Sequence, residues 1–227
     1  MNHNDVVPGL LTGISSAIIF NPIDKIIFCC CIQNKKLTDW SIWKNPFRGC
    51  FNSIGTRVIT SGLYFALIDG YSDDNSNKAI GAISTAMVSS ITNPIQLIKF
   101  YGWYHNCDSL TSIRFHFHKY GMQWFRFGII PLITRDFIFN YIYLTHKKKD
   151  CHIHNLMVIS GALAIASPFN LIKNKRYATK ESLKSIISNF KFSQLGIGMT
   201  IGRSCISFYV SQIIYNEIKR VYCVAFN

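Results

Sequence analysis

The sequence predicts an all-α membrane protein: six transmembrane helices in three tandem two-helix repeats with pseudo-threefold symmetry. Three observations predict it. Residues 6–23, 79–98 and 151–172 contain no Asp, Glu, Lys or Arg, and each run is about as long as a helix needs to cross a bilayer. A proline lies late in each run, at Pro22, Pro94 and Pro168, with spacings of 72 and 74 residues. The basic residues gather in the connections of one side, as membrane insertion favours.

Composition narrows the class. The chain has 227 residues, of which 49% are hydrophobic and 15% charged. A soluble domain carries about 25% charged residues, and three uncharged runs are hard to hide in a soluble core. The net charge of +13 favours anionic partners. Eight cysteines, three of them consecutive at Cys29, Cys30 and Cys31, form no CxxC pair. They read as small apolar residues in a reducing compartment or in lipid. Cys151, His152 and His154 lack a second ligand pair, so neither a metal nor a cofactor is expected. The N-terminus shows no Arg-rich presequence and no cleavable signal peptide, which leaves targeting to internal segments.

Between the clean runs lie three charged, aromatic-rich ones, residues 58–68, 137–146 and 204–216. If six helices cross, residues 24–55, 99–134 and 173–202 fall on one side and hold fifteen of the twenty-four Lys and Arg. Both termini then lie on the less basic side.

The repeat continues past the prolines. Seven positions after Gly49, Gly128 and Gly196 come Thr56, Arg135 and Arg203, and the first copy has Arg57 next door. One unit therefore recurs over about 1–75, 76–150 and 151–227 within a single domain: clean helix, proline, basic connection, glycine, charged helix. Gly9 and Gly13 form a small-residue pair suited to close helix packing.

Over essentially its whole length the chain resembles the mitochondrial carrier family, in which each odd helix ends in Pro-x-Asp/Glu-x-x-Lys/Arg. Its stretches are "NPIDKII", "NPIQLIK" and "SPFNLIK". The family pattern implies a gate in which the acid of one odd helix meets the base of the next. Carried over, the gate comprises Pro22, Asp24, Pro94, Gln96, Lys99, Pro168, Asn170 and Lys173. Asp24 would pair with Lys99, Gln96 would hydrogen-bond Lys173, and Asn170 would face Ile27 without an ion pair. Lys25 lies on another face of the helix. Compact length and Asn/Ile/Lys-rich wording are also similar to the carrier-like proteins of large DNA viruses.

Charges inside spans face cavities or partners. Thr56, Arg57, Arg135, Asp136 and Arg203 are thus the candidate substrate-binding residues, converging on one central cavity if the repeats are symmetric. Three arginines suit phosphates or carboxylates. The resemblance implies a monomeric antiporter working by alternating access in the mitochondrial inner membrane, the host's if the chain is viral, with cardiolipin among its lipid partners. The expected solute is a small anion, with nucleotides or deoxynucleotides slightly preferred. The arginine-rich, methionine-ending signature of ADP/ATP exchangers is absent, and "GMTIGR" stands near its place. The pair Arg135–Asp136 resembles the contact point of carriers for basic amino acids or carnitine-like zwitterions, and that alternative stays open. A degenerate carrier that no longer transports is the other, favoured by Ile27, Gln96 and Asn170. Tyr64, Tyr143 and Tyr209 offer stacking faces, Asp69, Lys148 and Glu217 a weak second ring, and His116 and His118 read as surface residues of a loop helix. No G-x-S-x-G, H-E-x-x-H or P-loop is present, so no enzyme is expected. No recognition helix or stacking motif accompanies the basic charge, so no nucleic-acid partner is expected.

Overall fold

Each proline-bearing run continues as helix for about three turns beyond its proline. In the computed structural model, which describes residues 3–71, 78–148, 151–190 and 196–226, every regular element is helical. In chain order these are α1 (His3–Ile32), α2 (Trp40–Trp43), α3 (Cys50–Tyr71), α4 (Lys78–Ile91), α5 (Asn93–His105) and α6 (Ser109–Tyr120). A 3₁₀ turn (Gly121–Arg126), α7 (Ile129–His146), α8 (His152–Thr179), α9 (Leu183–Ser188) and α10 (Ile197–Phe226) follow.

Helix continues through Pro22 in α1 and Pro168 in α8, although each removes one backbone donor. The second copy behaves differently. Ser90 and Thr92 turn their hydroxyls onto the carbonyls of Met87 and Ser89, three residues back, and the helix breaks at Thr92. Pro94 then opens α5 in the first turn, where a missing N–H costs nothing.

Three helical stretches, Val7–Ile32, Ser109–His146 and Ile153–Thr179, are long and apolar enough to cross a membrane. The uncharged run at 79–98 is not among them, because the break divides it between α4 and α5. Large apolar side chains on the long helices stand exposed, among them Ile18, Ile83, Met87, Ile130, Met157, Ile165 and Ile213. Exposed apolar surface of that extent calls for an apolar surrounding.

The long helices pack in chain order. α1 lies on α3, α3 on α4, α4 on α7, α7 on α8, α8 on α10, and α10 returns to α1, closing a ring. At one end α1, α5 and α8 also touch one another. The main buried core sits at that end, where Phe28, Cys29, Cys31 and Ile32 of α1 meet Trp103 of α5 and Leu171 and Ala178 of α8. The described cysteines are free, and those of the core act as apolar filling.

The three repeat glycines share one conformation and one contact. Gly49, Gly128 and Gly196 have φ of 76°, 74° and 57°, in the left-handed region, and each precedes a long helix, α3, α7 or α10. A Cβ on Gly49 would stand 3.1 Å from Trp103 Nε1, on Gly128 2.4 Å from Tyr177 Cε1, and on Gly196 2.2 Å from Cys31 Sγ. Trp103, Tyr177 and Cys31 each lie nine positions after a repeat proline. Each glycine thus packs on the same position of the next copy, and the third packs back on the first.

Two expectations are corrected. His116 is fully buried, with Nδ1 2.6 Å from the Ser112 carbonyl and its ring edge-on to Tyr101 at 4.5 Å; only His118 is on the surface. α6 packs on α5, so one face of the loop helix belongs to the core. Gly9 has nothing within 4 Å of a Cβ position, so it serves no close helix approach.

These glycines predict opposite mutant phenotypes. Gly128→Ala should lower stability by about 2–3 kcal/mol, through backbone strain and the Tyr177 ring. Gly9→Ala should raise stability by about 0.5–1 kcal/mol, as expected for a helical glycine with free space. Thermal unfolding of purified protein in detergent reads both.

Candidate functional site

The helix ring encloses a cavity of ≈ 640 Å³, within the size range of small-molecule sites. Thr56, Arg57, Arg135, Asp136 and Arg203 all line it, and so do Asp24, Gln96, Lys99, Asn170 and Lys173 of the expected gate. The prolines do not line it; they belong to the helices that carry the gate residues. The ionisable lining amounts to five cations and two carboxylates, a formal surplus of three positive charges.

Backbone carbonyls and amides set this geometry. Asn21, the residue before Pro22, donates through Nδ2 to the carbonyls of Pro46 and Arg48 at 3.2 Å each and accepts from Ser53 Oγ at 2.6 Å. Asn93, the residue before Pro94, donates to the carbonyls of Phe125 and Phe127 at 2.7 and 3.3 Å and accepts from the Tyr177 hydroxyl. Both amides therefore tie a proline-bearing helix to the segment leading into the next long helix. Both are fully buried, so their hydrogen bonds are needed to offset desolvation. In the third copy Ser167 stands at this position and, among the described residues, bonds its own helix at the Ala164 carbonyl.

The polar contacts between helices differ from expectation at Asp24, Lys99 and Asn170. Asp24 pairs with Arg203, not with Lys99: Nη2 donates to Oδ2 at 3.0 Å and Nε lies 2.7 Å from Oδ1. A guanidinium on α10 reaches α1 across the ring closure, and the fork suits a carboxylate better than an ammonium does. Lys99 instead donates to Ser53 Oγ at 3.1 Å and lies over the Trp103 ring at 4.6 Å. Lys173 donates to Gln96 Oε1 at 3.3 Å, the expected pairing. Asn170 accepts from Arg135 Nη1 at 3.2 Å, a partner the sequence did not suggest. Lys25, off the gate face, caps the carbonyls of Lys44 and Asn45.

Arg135 also holds Asp136, with Nε donating to Oδ1 at 2.6 Å. The other oxygen, Asp136 Oδ2, is buried and has no hydrogen-bond partner among the described residues. Arg57 is the exception among the arginines. Among the described residues no hydrogen bond or ion pair engages its guanidinium. Arg135 and Arg203 occupy the position seven after the repeat glycine and reach the residue two after the next copy's proline, Asn170 and Asp24. Arg57 is one position out of that register, about 100° around the helix, and Thr56 takes the place, bonding its own helix at the Asn52 carbonyl.

An aromatic closure adds to the expected gate residues. Phe28 and Phe100 have ring centroids 5.1 Å apart, and Phe100 stacks on Tyr177 at 5.7 Å and meets Trp103 edge-on at 5.2 Å. These rings come from α1, α5 and α8, so the end where the three helices meet is closed by aromatic packing as well as by the Lys173–Gln96 hydrogen bond. One signal was present: Phe28 and Phe100 each lie six positions after a repeat proline.

Other expectations fall outside the site. Tyr143 lines the cavity, whereas Tyr209 is 47% exposed; the Tyr64 and Asp69 side chains lie outside the described residues. Lys148 donates its backbone N–H to Asn155, and Glu217 meets Arg220 at 3.9 Å on the surface, so the described members form no second ring. Among the described residues no group of three metal-ligating side chains occurs. No protein-family model matches this sequence, and comparison with curated proteins gives no match.

The Arg135–Asp136 pair predicts a non-additive effect. Arg135→Ala leaves a carboxylate only 10% exposed without its cation and should destabilise by about 3 kcal/mol. Arg135→Ala with Asp136→Asn should recover most of that loss. Thermal midpoints of the two variants, compared with wild type, check it.

Proposed function

We propose that this chain is a transporter that exchanges small anions, nucleotides or deoxynucleotides foremost, across the mitochondrial inner membrane, as a divergent member of the mitochondrial carrier family. The observation that carries the reading is the cationic cavity enclosed by a ring of largely apolar helices. Charges are expensive at membrane depth and are kept there where they meet a solute or each other. On this reading α1, α3, the α4–α5 pair, α7, α8 and α10 are six crossings. The cyclic glycine contacts and the ring order support a threefold repeat. A surplus of three positive charges suits a nucleoside di- or triphosphate better than a monocarboxylate. Alternating access would open the aromatic closure while α1, α5 and α8 part.

One observation favours a second solute class. Asp136 Oδ2, buried at the cavity wall with no partner, would accept from the ammonium of a basic amino acid or a related zwitterion.

Uptake by proteoliposomes preloaded with nucleotides and basic amino acids decides between them. Labelled ATP should enter only against internal counter-substrate, and Arg57→Ala should abolish its uptake while insertion is intact. Because Arg57 has no partner among the described residues, its removal leaves no orphaned carboxylate to perturb the fold. Uptake of lysine or ornithine instead would select the zwitterion reading. No uptake of any solute by inserted protein would leave a carrier-like protein without transport.

A further inference from the structure

We propose that Asp24 is a built-in anion that occupies the Arg203 subsite until a phosphoryl group displaces it, and that it sets the minimum charge a solute must carry. The inference rests on the transport reading above and assigns one residue of that site a role in selectivity.

Arg203 Nη2 donates to Asp24 Oδ2 at 3.0 Å and Nε lies 2.7 Å from Oδ1, so the carboxylate faces the Nε–Nη2 edge of the guanidinium. The Nε contact is ionic without the alignment of a hydrogen bond. Phosphate, with three oxygens and up to two charges, competes for that edge more strongly than a single carboxylate does. Both side chains keep access to the cavity, with 14% of Arg203 and 28% of Asp24 exposed, so an incoming anion can reach the pair.

Comparison of the copies shows that this contact alone joins an arginine to a carboxylate of another helix among the described residues. Arg135 makes the corresponding contact to the neutral amide of Asn170 and takes its carboxylate, Asp136, from its own helix. Arg57 makes none among the described residues. Of the three cavity arginines, only Arg203 has a carboxylate from a proline-bearing helix in its grip. A displaced Asp24 needs a new cation, and Lys99 lines the same cavity with one hydrogen bond, to a neutral hydroxyl. Displacement at Arg203 would thus hand Asp24 from α10 to α5, exchanging a contact across the ring closure for one between two proline-bearing helices. Solutes too weakly charged to win Arg203 would bind without making that exchange.

Equilibrium titration of purified protein with ATP, and in parallel with inorganic pyrophosphate, tests this. Wild type, Asp24→Asn, Asp24→Glu and Asp24→Asn with Arg203→Ala are compared, with ligand-induced thermal stabilisation as the readout. Removing the internal competitor should tighten Kd about tenfold in Asp24→Asn. Asp24→Glu, which keeps the charge, should stay within about threefold of wild type, and Arg203→Ala should cancel the gain. Asp24→Ser repeats the comparison if Asp24→Asn does not fold. Unchanged or weaker binding in the neutral variants, with wild-type binding intact, overturns the proposal and leaves the transport reading standing. A gain that survives Arg203→Ala overturns it as well. Binding of neither ligand by wild type or by the neutral variants overturns both.

Discussion

Cationic side chains inside a ring of apolar helices must be paired, hydrated or occupied by a ligand. Four of the five cavity cations meet that constraint through protein partners among the described residues. Arg203 is held by Asp24, Arg135 by Asp136 and Asn170, Lys173 by Gln96, and Lys99 by Ser53 and the Trp103 face. Two carboxylates do not neutralise five cations, so the cavity stays positive and the helices stay apart around it. Dense packing is correspondingly displaced to the end where α1, α5 and α8 meet, where Phe28, Phe100, Trp103 and Tyr177 interlock.

The same constraint explains why the glycines and the amides matter although none carries charge. A ring around a void has few contacts to fix the position of each helix. The left-handed glycines bring the start of each long helix against the position nine after a proline of the next copy. Asn21 and Asn93 add buried hydrogen bonds across the same junctions. The cavity geometry thus depends on junctions where a helix entrance meets a helix exit.

Much of this was legible in the residues and some was not. The proline period, the glycines and the arginines seven positions beyond them are properties of spacing, and spacing survives folding. The break at Thr92 was harder to read, because a Pro in an apolar run bends or ends a helix according to the hydroxyls that precede it. Asp24 meeting Arg203 depends on side-chain reach between helices far apart in sequence, which a local motif does not encode. Asn21 and Asn93 were visible as letters before proline, but their carbonyl partners lie 25 to 34 residues away. His116 read as polar surface because α6 alternates Phe and His, and only its docking on α5 shows which face is inside.

The most direct measurement addresses the cavity itself. Ser204 lines it beside Arg203, and a single cysteine there, in a background cleared of the eight native ones, can be probed in membranes with thiosulfonate reagents of opposite charge. After correction for intrinsic reactivity, the anionic reagent should react at least about tenfold faster than the cationic one, since a cationic cleft concentrates anions. ATP should slow that reaction. Equal rates for the two reagents with no protection by ATP, or no reaction from either side of the membrane, would contradict a solute-accessible cationic site at the centre of the ring.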